Sequence, residues 1–165
     1  DLVERGHARD AIIAASTAQA AALWHLRESI PSAQGYEGGS IKHDISVPQA
    51  RMSAFVREAE AAVTRALPGV RPCVFGHLGD GNLHYNLSQP VGMDAAKFLA
   101  EWDRLARIVH DLTTAAGGSI SAEHGIGQLK REDLVRTKPA VELELMLAVK
   151  RALDPLGIMN PGKLL

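Results

Sequence analysis

Residues 71–88 contain the pattern that decides the fold, and they read Arg-Pro-Cys-Val-Phe-Gly-His-Leu-Gly-Asp-Gly-Asn-Leu-His-Tyr-Asn-Leu-Ser. The apolar character of Arg71–Phe75 predicts a strand, and Leu83–Ser88 predicts a second one. The connection between them, Gly76–Asn82, contains three glycines, which permit the backbone angles of a tight turn. We therefore predict an antiparallel β-hairpin.

The segments around the hairpin alternate between helical and extended patterns. A further strand is predicted over Ile41–Val47, where apolar and polar residues alternate, and a short one over Ser119–Ser121. Helices are predicted over residues 7–29, 48–67, 94–116 and 139–153, with Asp94 as an N-cap. The pattern predicts an α+β fold in which helices cover an antiparallel sheet.

Composition excludes several functional classes. The chain has 165 residues and a formal net charge of -1, which fits about one domain and disfavours nucleic acid as a partner. Its single cysteine, Cys73, excludes an intramolecular disulfide, and no apolar run is long enough to cross a bilayer. We expect a cytoplasmic location, with the parent protein soluble or peripheral to a membrane. Because the chain begins at Asp1, we expect it to be a piece of a larger protein.

Two short glycine-rich segments hold the candidate chemistry. The first contains His77 and His84, and the second contains Glu123 and His124. Imidazoles and a carboxylate together suit zinc or a similar divalent ion, and a neighbouring histidine can move a proton near neutral pH. The competing interpretation is a hydrogen-bonded turn whose histidines bind local carbonyls. The spacing matches no standard zinc motif, so the residues alone leave both interpretations open.

Three motifs in this order resemble a known family. They are Gly76–His84, Ser121–Gly127 and Leu153–Lys163. With them, the chain resembles the C-terminal domain of the FAD-linked oxidases, the family of flavin-dependent D-2-hydroxyacid dehydrogenases. The nearest patterns are those of D-2-hydroxyglutarate dehydrogenases, followed by D-lactate dehydrogenases and glycolate oxidase subunits. The resemblance covers nearly the whole chain, so residues 1–165 are expected to form one such domain.

The resemblance implies a role for each residue of the two segments. His77, His84 and Glu123 would hold a divalent metal, with zinc expected, and His124 would be the general base beside it. Oxidation of a D-2-hydroxy acid to the 2-oxo acid would then deliver a hydride to FAD. The alternative for His124 is a hydrogen bond that orients Glu123.

Other implied residues would bind the substrate and the flavin. Arg27, Lys42 and Asn86 match substrate-binding positions, and a guanidinium suits a carboxylate because it can donate two parallel hydrogen bonds. Asn160 and Lys163 match positions that pack near the flavin in relatives. One departure is Pro31, which stands where some D-2-hydroxyglutarate enzymes have a threonine. The resemblance therefore leaves the substrate's side chain open among hydroxyglutarate, lactate, glycolate and longer D-hydroxy acids.

The remaining expectations concern partners and alternatives. Relatives bind FAD mainly through an N-terminal domain of another type, which nothing in this sequence resembles, so we expect the isolated chain to be inactive. The electron acceptor is open among a quinone, a cytochrome and an electron-transfer flavoprotein, and a homodimer is one option for assembly. A metal-dependent hydrolase and a noncatalytic binding domain are the two competing functions.

Overall fold

The computed structural model describes residues 1–164. These residues divide into two compact units, the first over residues 1–37 and the second from Gly38 onward. The first unit contains α1 (Thr17–Glu28) and α2 (Ile30–Gly35). α1 begins ten residues later than predicted because the hydroxyl of Ser16 accepts a hydrogen bond from the backbone N–H of Gln19 at 3.2 Å and caps the helix.

The second unit contains all four strands and the other helices. Its elements are β1 (Ser40–Ile41), β2 (Asp44–Ser46), α3 (Met52–Ala66), β3 (Arg71–His77), β4 (Asn82–Ser88), α4 (Ala95–Leu99), α5 (Trp102–Ala115), α6 (Arg131–Thr137) and α7 (Ala140–Leu153). The predicted hairpin and the last helix are confirmed, and Asp94 caps α4 as expected. The helix predicted over 94–116 is divided into α4 and α5, and α6 was not predicted.

No helix within residues 1–164 combines the length and the apolar character that a membrane span requires.

β4 is the central strand of the sheet. It pairs along its whole length with β3, and its other edge pairs with β2 near its start and with β1 near its end, all antiparallel. Ser119 adds an isolated bridge to Ser46 on the outer side of β2, where a short strand was predicted. The sheet therefore places residues from three distant parts of the sequence beside β4.

The strand predicted over Ile41–Val47 is interrupted at Lys42 and His43. The His43 backbone N–H donates to Asn86 Oδ1 at 3.3 Å, and the His43 ring nitrogen Nδ1 contacts the Tyr85 carbonyl at 2.7 Å. A carbonyl can only accept, so Nδ1 carries the proton. The imidazole thus replaces one backbone hydrogen bond of the ladder, which separates β1 from β2.

The core lies between one face of the sheet and the helices α3, α4 and α5. Every second residue of β4 points into it, and the helices contribute an apolar stripe each. The fully buried members include Ile41, Ile45, Phe55, Val63, Tyr85, Leu87, Phe98, Leu105 and Val109. The other β4 residues, which point to the opposite face, are polar: Asn82, His84, Asn86 and Ser88. At β4 one face of the sheet is therefore apolar and the other polar. This confirms the predicted α+β arrangement of helices on an antiparallel sheet.

Replacing Gly81 with alanine should destabilise the hairpin loop. Gly81 has φ of +70°, and an added Cβ would lie 2.2 Å from the Val47 carbonyl oxygen. The strained backbone alone costs about 1–3 kcal/mol. The matched control is Gly79→Ala, where a Cβ meets nothing within 4 Å. Urea unfolding should show a clear loss for Gly81→Ala and little change for Gly79→Ala; equal losses would contradict this account.

Stability should fall in acid because of His43. Burial is the main cause that lowers the pKa of His43 from 6.5 to about 4; the Tyr85 carbonyl and Asp133 oppose the shift, while His110 and Lys130 add to it. A depressed histidine pKa means that the unfolded chain binds the proton first, so stability present above pH 6.5 is lost toward pH 4. The full effect is about 3 kcal/mol.

The measurement is urea unfolding of the wild type and of His43→Asn between pH 7 and pH 4.5. The stability advantage of the wild type should shrink as the pH falls, since only the wild type has this buried imidazole. A difference that stays constant over this range would contradict the prediction.

Candidate active site

The candidate site is built on the polar face of the sheet, around His84 in the central strand. Strand register places Asp44 of β2 directly opposite His84 on one side and Phe75 of β3 opposite it on the other. The Phe75 and His84 ring centroids lie 5.1 Å apart. His84 is half-buried, with 17% of its side chain exposed. The imidazole is therefore held between two neighbouring strands.

A loop after Ser119 brings the second segment to the same place. The Ser46 and Ser119 backbones exchange two hydrogen bonds of 2.9 Å, and the Ala122 N–H donates to the Asp44 carbonyl at 3.2 Å. The backbone N–H groups of Glu123 and His124 then donate to Asp44 Oδ2 at 2.7 and 2.8 Å. One carboxylate thus fixes the turn that carries both side chains.

Asp44 is itself buried and fully engaged. Its Oδ1 accepts a hydrogen bond from Asn82 Nδ2 at 2.8 Å, and its side chain is 1% exposed. Burial alone would raise the pKa of Asp44, but the N–H groups of His124 and Glu123 and the Asn82 amide outweigh it and lower the pKa below its ordinary value. Asp44 is therefore ionised at neutral pH and acts as the acceptor that the loop requires.

The predicted metal ligands lie within reach of one another. His77 Nδ1 lies 3.0 Å from Glu123 Oε1, and His84 Nε2 lies 3.8 Å from Glu123 Oε2. The His77 and His84 ring centroids are 6.2 Å apart. The Glu123 carboxylate therefore contacts both imidazoles, which joins the hairpin to the loop.

His124 lies against the ring of His84 and near Asp44. Their rings stack with centroids 5.9 Å apart, and His124 Nδ1 is 3.8 Å from Asp44 Oδ2. Two thirds of the His124 side chain is exposed, so its ring is accessible to a small molecule. This arrangement gives an exposed imidazole beside a half-buried one.

The protonation of His84 favours a role as a ligand. Burial is the largest cause that lowers its pKa; the carboxylates of Asp44 and Glu123 oppose the shift, and His124 and His77 add to it. The net lowering keeps the imidazole neutral at pH 7. A neutral imidazole has a free lone pair on one nitrogen, which is what metal coordination requires.

Two overlapping groups of side chains could hold a cation. One is the predicted set of His77, His84 and Glu123. The other is Asp44, His84 and His124, whose potential ligand atoms all lie within 4.8 Å of one another. A carboxylate offers about four lone-pair sites. Three of those of Asp44 already accept hydrogen bonds, so Asp44 has little capacity left for a metal.

The predicted substrate residues lie in different environments. Lys42 lies in the break between β1 and β2 and is exposed. Asn86 is on β4, two residues after His84, but it is buried and its Oδ1 accepts the His43 N–H. Arg27 lies in α1 of the first unit, whereas the site belongs to the second. Their contacts with a substrate remain predictions.

The two predicted flavin-side residues lie in the tail after α7. Asn160 has φ of +48°, and its carbonyl accepts the Lys163 N–H at 3.3 Å. The tail is tied back by Asp154, whose carboxylate accepts the N–H groups of Ile158 and Met159 at 2.9 Å each. Both Asn160 and Lys163 are exposed, and their role toward a flavin remains a prediction.

Sequence reasoning missed Asp44 and Asn82 as parts of the site. Asp44 falls within the strand predicted over Ile41–Val47 and Asn82 within the predicted turn, and neither was given a role in the site. One signal was available: Asp44 is two residues after Lys42 in the predicted strand, so the two side chains are expected on the same face, and Lys42 was already a candidate for substrate binding. Nothing in the spacing indicates that its carboxylate binds a loop 79 residues further along the chain.

Replacing Asp44 with asparagine should loosen the site and destabilise the protein. An amide has one oxygen in place of two, so at least one of the three donors would lose its acceptor. A buried donor without a partner costs about 1–3 kcal/mol. Asp80→Asn is the control, because Asp80 is an exposed carboxylate on the nearby hairpin turn. Thermal unfolding should show a lower Tm for Asp44→Asn alone; an unchanged Tm would show that the carboxylate is not essential.

Comparison with known proteins gives this geometry a context. The family model described as "FAD linked oxidases, C-terminal domain" matches residues 1–164. The D-2-hydroxyglutarate dehydrogenase of Xanthomonas citri pv. viticola is 42% identical over 98% of this chain and 34% of its own length. That of Stutzerimonas stutzeri is 40% identical over 98% of this chain and 35% of its own. The mitochondrial enzyme of Danio rerio is 38% identical over 94% of this chain and 28% of its own.

The chain thus spans about a third or less of the length of these relatives. Its match nevertheless extends over both glycine-rich segments and the tail after α7. Together with the convergence of His77, His84, Glu123 and His124, this places the chain in the FAD-linked oxidase family, as its C-terminal domain.

Proposed function

We propose that this chain is the substrate-side and metal-side part of a flavin-dependent D-2-hydroxyacid dehydrogenase, with D-2-hydroxyglutarate as the favoured substrate. The observation that supports it best is the meeting of three histidines and a glutamate on one face of the sheet. The names of the similar proteins favour D-2-hydroxyglutarate over D-lactate and glycolate. Pro31, where some such enzymes have threonine, keeps the other two acids as outcomes to be tested.

The donor set fits a divalent metal, with zinc as the expected ion. His77, His84 and Glu123 would hold it, since two imidazoles and a carboxylate form a known type of catalytic zinc site that leaves a position open. The carboxylate of Glu123 already lies against both imidazoles. Such an ion would lower the pKa of a bound substrate hydroxyl.

His124 is proposed as the group that receives the proton of the substrate hydroxyl. Its ring is exposed, lies beside the ligand His84, and is oriented by a backbone bond to Asp44. The nearby Asp44 carboxylate would stabilise the imidazolium that forms. FAD, bound mainly outside this chain, would accept the hydride from C2 of the substrate.

The remaining residues are proposed to hold the acid's carboxylates and the flavin. Arg27 and Lys42 would bind carboxylate oxygens, and Asn86 would donate a hydrogen bond. Because Asn86 Oδ1 already accepts the His43 N–H, the part of Asn86 that this role requires is its NH2 group. Asn160 and Lys163 would lie on the flavin side.

The proposal is tested with the full-length protein that contains this chain, mixed anaerobically with D-2-hydroxyglutarate, D-lactate and glycolate. Flavin absorbance should bleach rapidly with D-2-hydroxyglutarate, and removal of the metal by a chelator should abolish the bleaching. His124→Ala should slow it roughly 100- to 10,000-fold, the usual loss when a general base is removed.

The matched control is His7→Ala, since His7 is an exposed histidine far along the chain from both segments. It should bleach at the wild-type rate. If only D-lactate or only glycolate bleached the flavin, that acid would replace D-2-hydroxyglutarate as the assigned substrate. A full-length protein without flavin would end the dehydrogenase proposal, and turnover of an ester or amide without flavin would favour the metal-dependent hydrolase.

A further inference from the structure

The loop that carries Glu123 and His124 is held from two sides. Asp44 holds it from the sheet, as described above. On the other side the side chain of Lys130 reaches back from the start of α6. Its ammonium nitrogen Nζ lies 3.0 Å from the Ile120 carbonyl oxygen and 3.3 Å from Ser121 Oγ. Both contacts are to residues just before Glu123.

Ser121 connects Lys130 to the other end of the loop through hydrogen bonds. Its hydroxyl donates to the Gly125 carbonyl at 2.6 Å, and its own carbonyl accepts the Ser119 hydroxyl at 2.9 Å. The hydroxyl of Ser121 thus accepts from Lys130 and donates to Gly125. The bond from Ser121 to Gly125 closes a ring that contains Glu123 and His124, and the bond from Lys130 ties that ring to the start of α6.

Lys130 is attached to a well-packed part of the unit. Leu134 in the first turns of α6 is 2% exposed, and Asp133 of α6 accepts from His110 Nδ1 of α5 at 2.8 Å. Arg136 forms an ion pair with Asp133 at 2.8 Å. Because these contacts hold α6 against α5, the backbone at Lys130 is fixed in place, and its side chain can restrain the loop.

The charge of Lys130 suits this position. Burial lowers the pKa of Lys130, and the carboxylates of Asp44 and Asp133 oppose that shift. The Asp44 carboxylate accepts from two amides of the loop, whereas the Lys130 amino group donates to a carbonyl and a hydroxyl of the loop. Their arrangement gives the loop an acceptor for its amides and a donor for its carbonyl and hydroxyl.

We propose that Lys130, acting through Ser121, is a positioning residue that fixes Glu123 and His124 for the reaction. The proposal rests on the proposed function for its catalytic consequence, but its structural part does not. Removing the ammonium would take away the donor to the Ile120 carbonyl and the Ser121 hydroxyl. The turn would then depend on Asp44, on the backbone bonds between Ser46 and Ser119 and on the Ser121–Gly125 hydrogen bond.

The test uses four single variants and one double variant of the full-length protein. The single variants are Lys130→Met, which keeps the length and removes the donor, Lys130→Arg, which keeps the charge, Ser121→Ala, and Lys138→Met; the double variant combines Lys130→Met with Ser121→Ala. Lys138 is the matched control because it pairs with Glu142 on the surface at 2.7 Å. Hydrogen exchange is followed in a peptide covering residues 121–127, which contains the two amides bound to Asp44. Flavin-reduction kinetics and metal affinity are measured on the same samples.

Lys130→Met should speed exchange of these amides about tenfold and lower kcat and metal affinity roughly 10- to 100-fold, with a much smaller change in KM. Lys130→Arg should recover part of each effect. Ser121→Ala should give a similar but weaker effect, and combining it with Lys130→Met should add little. Lys138→Met should match the wild type.

Unchanged exchange in Lys130→Met would overturn the proposal. So would faster exchange with wild-type kcat, or a loss of activity that only follows the unfolded fraction. If no D-2-hydroxy acid is oxidised by the wild type, the proposed function fails, whereas the exchange measurement still decides whether Lys130 positions the loop.

Discussion

The carboxylate of Asp44 is the interaction on which the site depends. It lies on a strand whose backbone is part of the sheet, and its two oxygens accept from a side chain of the central strand and from two amides of a distant loop. A buried carboxylate would ordinarily be unfavourable, and it is tolerated here because three donors stabilise its charge. The same bonds decide where Glu123 and His124 lie. A change that weakens them is therefore expected to disturb both the stability of this part of the sheet and the geometry of the site.

Much of the fold could be predicted from local pattern. The hairpin follows from two apolar segments around glycines, and the core face of β4 follows from alternation at Leu83, Tyr85 and Leu87. The late start of α1 was also visible, since Ser16 and Gln19 have the spacing of a helix cap. The short, highly charged helix α6 was not predicted because it has little apolar periodicity, and its stability comes from contacts with α5.

What sequence could not predict depends on contacts between distant residues. The break at Lys42 and His43 arises because a side chain takes the place of a backbone donor, which requires Tyr85 and Asn86 to be in register. The four candidate residues His77, His84, Glu123 and His124 lie near one another, whereas their roles stay predictions. Residue type and spacing were enough to select them, but the metal interpretation relied on the family resemblance, since the spacing alone favoured an ordinary turn over a metal site.

The bridge between Ser46 and Ser119 has a consequence beyond the site. The outer side of β2 would otherwise present unpaired N–H and C=O groups, and such edges readily pair with other chains. The backbone from Ser119 to Ala122 occupies that edge, with hydrogen bonds to Ser46 and Asp44. The loop that carries Glu123 and His124 is therefore also a cover that blocks the pairing of another strand with this edge.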